Sequence, residues 1–341
     1  MGQSYVRPLV QYGVARADGA VPLADGVGWF THVEVLERGA RPRVTSVSEA
    51  STEGLSQLTQ SHPMRVQTPR IMGIVNTTPD SFSDGGLHAA AQDAIAGGLA
   101  MASAGAEILD IGGESTRPGA SPVEVEEEIT RTAPVIEGLR AQGFTGMISI
   151  DTRKAAVARA ALAAGADLIN DVSGFTHDAD LAGVAAQADV PVCVMHGPVD
   201  PATMHLNPRY DDVVLDVYDW LEGRITALEA QGISRSRIIA DPGIGFAKTL
   251  KHNLALLQRL SIFHGLGVPI LLGASRKRFI GTIGNASEAR ARMPGSIAVA
   301  LAGLAQGVQI VRMHDVAETA QAFALWRASG AGAPDSQKGY R

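Results

Sequence analysis

One theme recurs eight times between residues 71 and 329: a short apolar run, a polar or glycine-rich loop, then an alanine-rich stretch with helical spacing. The runs fall at 71–75, 108–111, 147–150, 168–169, 190–195, 238–240, 270–272 and 309–311. Helical periodicity follows at 92–104, 123–141, 155–164, 181–188, 212–231, 250–263, 296–307 and 317–328. Unbroken Val/Ile/Leu runs suit strands buried on both faces. Strands alternating with helices pair in parallel through crossovers, and eight such units in about 250 residues match an α/β fold of the (β/α)8 TIM-barrel type. An open doubly wound sheet is the other architecture with this alternation. It normally carries a glycine-rich dinucleotide fingerprint after its first strand, and no GxGxxG follows Val75.

Composition agrees with that reading. The chain of 341 residues is 45% hydrophobic but 5% aromatic, so Ala, Val, Leu and Ile carry the apolar mass that packs helices onto a sheet. A charged fraction of 19% is the reverse of a disordered profile. Residues 1–66 read as a short N-terminal appendage: alternation at 30–36, a turn at 39–42 and a second run at 43–47 suggest a hairpin followed by a connecting helix. The barrel is assigned to 67–329, and 330–341 is a polar Gly/Pro tail expected to be flexible. A net charge of −6 without a basic stripe argues against a nucleic-acid partner. The single Cys193 lies within an apolar run, which excludes a disulfide framework and reads as a small buried hydrophobe in a reducing compartment. With no signal-peptide pattern and no run of roughly 18 apolar residues, the expectation is a cytoplasmic protein off the membrane.

Polar residues follow every run: Asn76; Asp110 and Glu114; Asp151; Asn170 and Asp171; His196; Asp241; Ser275, Arg276 and Lys277; Arg312 and His314. In a barrel these positions converge on one mouth. For each taken singly, a helix N-cap is the competing reading, and Asp151 is placed to cap a helix starting near Lys154. Asp151, Asn170 and Asp241 together offer acceptors and a donor to the edge of a flat, amidine-like heterocycle. Three cations follow the seventh run, at 276–278, and one reaching inward would complement the acids. Loop 76–86 suits a segment closing over substrate. Loop 112–120 mixes glycines, hydroxyls and Arg117 without the spacing of a P-loop, and Arg312 with His314 suggests an anion site.

The segments 71–86 (IMGIVNTTPDSFSDGG), 105–119 (GAEILDIGGESTRPG), 149–154 (SIDTRK), 169–174 (INDVSG), 241–248 (DPGIGFAK), 274–281 (ASRKRFIG) and 311–316 (VRMHDV) resemble, in order and spacing, the motifs of the dihydropteroate synthases. That resemblance implies a barrel enzyme that joins 6-hydroxymethyl-7,8-dihydropterin diphosphate to 4-aminobenzoate and releases diphosphate by an SN1-like substitution. It implies Mg2+ held at Asn76 beside the diphosphate, with Arg312, His314 and Thr116 as the anion site. Asp151, Asn170, Asp241 and Lys277 match pterin-holding positions, and Thr116, Arg117, Pro118, Phe246 and Ser275 match the surroundings of the aminobenzoate. Asn76, Asp84, Arg117 and Lys277 match positions at the reacting centre, and a homodimer is implied. A methyltransferase of the same fold would share the Asp/Asn edge but has less need of the Ser-Thr-Arg-Pro loop and the Arg-x-His pair. A non-catalytic pterin- or phosphate-binding barrel would not require both long loops. The chain departs from the family pattern at 197–205, where a Gln-Gly loop is usual, and at Ala247, where Gly is common. His196 and His205 make a poor zinc pair, and His196 reads as structural.

Overall fold

The computed structural model describes residues 3–13, 15–24, 26–63, 69–77, 86–115, 122–197 and 208–331. The chain opens with a small antiparallel unit in which β1 (Ser4–Pro8), β4 (His32–Glu37) and β5 (Arg43–Ser46) form a sheet in the order β1-β4-β5. Two shorter strands, β2 (Val21–Pro22) and β3 (Trp29–Phe30), pair beside it. Alternation in β4 gives each face its own partner. Val33 and Val35 pack with Leu23, Phe30 and Leu58, the last supplied by helix α1 (Thr52–Thr59). On the other face Leu36 joins the main core, and Glu34 is gripped by Arg7 at 2.6 Å and by Arg259 at 3.2 Å. Tyr5, opposite Leu36, donates its hydroxyl to Asp219 at 2.8 Å. The pairing partner β1 escapes sequence reading because SYVRP buries only two of its five side chains.

All eight apolar runs fold as strands: β6 (Arg70–Asn76), β7 (Ile108–Gly112), β8 (Met147–Asp151), β9 (Leu168–Asp171), β10 (Val192–Met195), β11 (Ile238–Asp241), β12 (Leu271–Leu272) and β13 (Ile310–Met313). They form one parallel sheet in the order β11-β10-β9-β8-β7-β6-β13-β12, and a parallel bridge from Ala240 to Ile270 brings its two ends together. Helices α2 (Gly86–Ser103), α3 (Val125–Ala141), α4 (Ala155–Ala163), α5 (Leu181–Ala188), α6 (Val213–Ala230) and α7 (Leu250–Gln258) intervene, followed by α8 (Arg278–Gly284), α9 (Met293–Leu304) and α10 (Val316–Trp326). The stretch 250–263 is not one helix; α7 stops at Gln258 and a 3-10 turn spans Leu260–Leu266. Helix α8 carries two glycines in seven residues, so no periodicity announces it. Burial of Phe279 and Ile280 holds it in place.

Successive strand residues point to opposite faces, and the core divides accordingly. Leu109, Ile111, Ile148, Ile150, Val194 and Val311 belong to the large cluster between sheet and helices. Met72, Ile108, Leu168, Cys193, Ile239, Leu271 and Ile310, with Met147 against them, form a separate cluster to which every barrel strand gives one residue. This plug fills the barrel's interior. Its residues step by two positions between β8 and β9, β9 and β10, β11 and β12, and β13 and β6, and stay level at the other pairings. The four steps add up to the stagger that closes an eight-stranded barrel of shear 8.

Candidate active site at the barrel mouth

The site is the continuation of the plug. Two residues beyond Ile108 lies Asp110, beyond Leu168 Asn170, beyond Ile239 Asp241, and beyond Ile310 Arg312. Two residues further, β6 reaches Asn76 and β8 reaches Asp151, while His314 follows β13. A period of two therefore carries these six strands from apolar plug to polar mouth without a change of face.

Arg312 is the centre of the polar layer. Its Nε donates to Asp110 Oδ2 at 2.5 Å and its Nη2 to Asp151 Oδ2 at 2.9 Å. Asn170 Nδ2 lies 3.4 and 3.3 Å from the two Asp110 oxygens. Burial, then the neighbouring Asp110 charge, push the Asp151 carboxyl up to about 7, with Arg312 pulling the other way. Asp151 is not a helix cap. Lys154 occupies the N-cap of α4 without a side-chain bond, and Asp178 accepts the Ala155 N–H at 2.8 Å.

Asp241 closes the other side. It accepts the Gly243 N–H at 2.7 Å, and burial raises its pKa while Lys277 and that N–H oppose the rise. Of the three cations after β12, Lys277 is the one that turns inward: Nζ donates to Ile244 O and stands 4.3 Å from the centre of the Phe246 ring. Burial brings its pKa down to about 8. Arg276, by contrast, pairs with Asp315, and Arg278 is exposed. The loop after β11 is pressed against the end of β10. Gly243, at φ +67°, has no room for a Cβ beside His196 O. Lys248 ties the same two segments, with Nζ 2.8 Å from His196 Nδ1, 2.9 Å from Gly243 O and 3.0 Å from Phe246 O. His196 is buried with its ring edge-on to Trp220, and burial, then the Lys248 charge, take its pKa down to about 2. A ring so placed serves the fold.

Ser275 Oγ accepts the His314 backbone N–H at 3.2 Å and sits 2.9 Å from His314 Nδ1. Asn76 is exposed at the end of β6. Asp171 turns into its own loop, accepting from Ser173 N and Phe175 N at 2.7 Å each. Glu114 pairs with Arg153 and Lys154, each at 3.3 Å, and accepts the Val123 N–H. Asp84, Thr116, Arg117 and Pro118, like His205 and most of loop 197–205, lie outside the described residues. Thus Asp151, Asn170, Asp241, Lys277 and Arg312 line one mouth with Phe246 and the Ser275–His314 pair at its rim. Sequence reading places Asp110 among the polar residues that converge on the mouth but gives it no role there. Counting in twos from Ile108 gives it an inward face, on the same side of the strand as the plug.

The pterin binding enzyme family matches residues 72–314. The dihydropteroate synthase of Escherichia coli (strain K12) is 44% identical over 270 residues, covering 79% of this chain and 95% of that one. The Neisseria meningitidis serogroup B enzyme is 47% identical over 267 residues, covering 77% and 93%. The chain belongs to the dihydropteroate synthase family of pterin-binding enzymes. Among solved structures, Xanthomonas albilineans dihydropteroate synthase with 4-aminobenzoic acid superimposes with a TM-score of 0.72 at 48% identity, over 76% of this chain and 93% of that one. The same enzyme in complex with 7,8-dihydropteroate gives a TM-score of 0.68 at 42% identity, covering 76% and 92%. The family match begins within β6, so the N-terminal sheet stands outside it.

Proposed function

We infer that the protein is a dihydropteroate synthase, a transferase that joins 6-hydroxymethyl-7,8-dihydropterin diphosphate to 4-aminobenzoate, giving 7,8-dihydropteroate and diphosphate. The observation that carries this reading is the convergence, at one mouth, of a carboxylate–amide edge from β8 and β9 with a guanidinium and an imidazole from the end of β13.

A flat ring bearing adjacent N–H and NH2 groups can donate two parallel bonds to a carboxylate. Asp151 and Asp241 are the acceptors in this reading, and Asn170 adds an amide between them. Carboxyl groups raised by burial gain most from such donors, because a charged form stabilised by hydrogen bonds has its pKa drawn back down. Lys277, over Phe246, supplies a cation beside Asp241. Arg312 and His314 take the diphosphate. When the His314 ring is neutral and Ser275 donates to Nδ1, the proton stays on Nε2, where an anion can use it.

The bond from the exocyclic methylene to diphosphate oxygen breaks with its electron pair leaving on the diphosphate. The reduced pterin delocalises the positive charge, and the arylamine lone pair then forms the C–N bond, after which nitrogen loses a proton. The amine is neutral near pH 7 and needs no strong base, so positioning and preorganised charge do the catalytic work. Asp84 is assigned to the cation or the released proton, and Arg117, Pro118 and Thr116 to the aminobenzoate and diphosphate side. Asn76 offers a neutral oxygen donor at the mouth, which fits Mg2+ carried mainly by substrate phosphates. When bound, Mg2+ would offset charge on the leaving group.

Incubation with the pterin diphosphate, Mg2+ and 4-aminobenzoate should yield diphosphate and dihydropteroate in equal amounts; folded protein that forms neither overturns the assignment. No helix among the described residues is long and apolar enough to cross a membrane. We place the enzyme in the cytoplasm as a homodimer, which cell fractionation and light scattering test directly.

A further inference from the structure

We propose that Asp110 is a positioning residue for this reaction, a single buried carboxylate that aims both the Arg312 guanidinium and the Asn170 amide. The inference rests on the function proposed above. Asp110 is fully buried, and it occupies the inward position directly above the plug residue Ile108. Its partners come from the next strand but one on each side. Arg312 on β13 donates Nε to Oδ2 at 2.5 Å, and Asn170 on β9 brings Nδ2 to 3.4 and 3.3 Å from the two oxygens.

Each contact fixes a direction. A guanidinium is a rigid planar fork, so anchoring Nε sets the plane in which the two terminal nitrogens lie. One of these, Nη2, reaches Asp151 at 2.9 Å, which places the fork between the floor and the pterin side of the mouth. A carboxylate is an acceptor only, so the Asn170 nitrogen faces Asp110 and its carbonyl oxygen is turned away from it. Asp110 thereby decides the hydrogen-bonding sign of Asn170. With Asp151 and Asp241, the amide then presents a third acceptor, and the site selects a ring edge rich in N–H donors. A residue that never touches substrate in this way sets both the leaving-group cation and the ring-edge code.

Asp110→Asn keeps the volume, removes the charge and gives the Asn170 nitrogen a second amide to face. Titration calorimetry with inorganic diphosphate and Mg2+ should show affinity weakened on the order of tenfold, within the range of coupling between contacting polar groups. In turnover, KM for the pterin diphosphate should rise and kcat fall, while KM for 4-aminobenzoate stays within about twofold, a split that general loosening would not give. The decisive comparison is Arg312→Met against Arg312→Met with Asp110→Asn. If Asp110 acts on diphosphate through Arg312, the second change costs less than about twofold in diphosphate affinity once Arg312 is gone. The double variant has no unpaired buried charge at Asp110, so it keeps the test alive if Asp110→Asn alone misfolds. Wild-type diphosphate affinity in Asp110→Asn, or a further large loss in the double variant, overturns the proposal. Wild-type turnover bears on the proposed function separately, and the affinity ratios stand without it.

Discussion

Arg312 is the cation that two buried carboxylates share, and replacing it with Met removes the charge while keeping much of the stem. Asp110 is left fully buried and Asp151 mostly so. Removing one partner of a buried ion pair costs about 3–5 kcal/mol. The Arg312 side chain is 23% exposed, which favours the lower figure of about 3 kcal/mol. At roughly 2–4 °C per kcal/mol for a large domain, Tm should fall by about 6–12 °C. The loss should also depend on pH. In the parent protein the Asp151 carboxyl lies up to about 7, raised by burial and by Asp110 and lowered by Arg312. A carboxyl whose folded pKa exceeds its unfolded value favours the protonated protein. Its contribution is fully present at low pH, falls as pH rises toward about 7, and is level beyond that. Without Arg312 the carboxyl moves higher still, so the variant goes on losing stability above pH 7 where the parent has levelled. Thermal unfolding followed by circular dichroism near pH 6 and near pH 9 should show the larger deficit at the higher pH. An equal deficit at both, or none, would refute the shared-cation account.

Asp241→Asn should weaken pterin binding far more than 4-aminobenzoate binding in calorimetry, and equal losses would count against its place at the ring edge. Ser149 Oγ is buried and has no hydrogen-bond partner among the described residues. Since a buried unsatisfied hydroxyl costs about 1–3 kcal/mol, Ser149→Ala should raise Tm by a few degrees; a drop would reveal a partner for the hydroxyl. Ala247 is buried at φ +48°. A left-handed non-glycine residue costs roughly 1–2 kcal/mol, and glycine's extra unfolded-state freedom takes back about half of that. Ala247→Gly should therefore raise Tm slightly, and a lower Tm in differential scanning calorimetry would contradict the strain.

The barrel was legible because its strands are buried on both faces, so most appear as apolar runs such as VCVM or IIA. The plug was less so. Cys193 read correctly as a small buried hydrophobe, yet nothing in a continuous run says which alternate residues face inward until the register is known. The same blindness left Asp110 at the mouth without a partner, since its importance lies in Arg312, 202 residues away in sequence. Motif spacing placed Asp151, Asn170, Asp241, Lys277 and Arg312 at one mouth, but not the order in which they pair. Sequence spacing groups Arg312 with His314 and does not show that Arg312 hydrogen-bonds to Asp110 and Asp151 while Ser275 holds His314. Helix α8 was hidden for a different reason, since tertiary burial and not propensity maintains it.

In each barrel strand, parity of position is all that separates the interior from the helix layer. Cys193 and Val194 are neighbours, yet one fills the plug and the other packs under the helices. Deleting one residue from β7 between Ile108 and Asp110 would turn the carboxylate into the aliphatic layer and a leucine-sized side chain into the mouth. The loops carry no such constraint, and length can vary there at small entropic cost. This barrel is read in a frame of two, so that strand length between floor and mouth constrains the site as strictly as the chemistry it delivers.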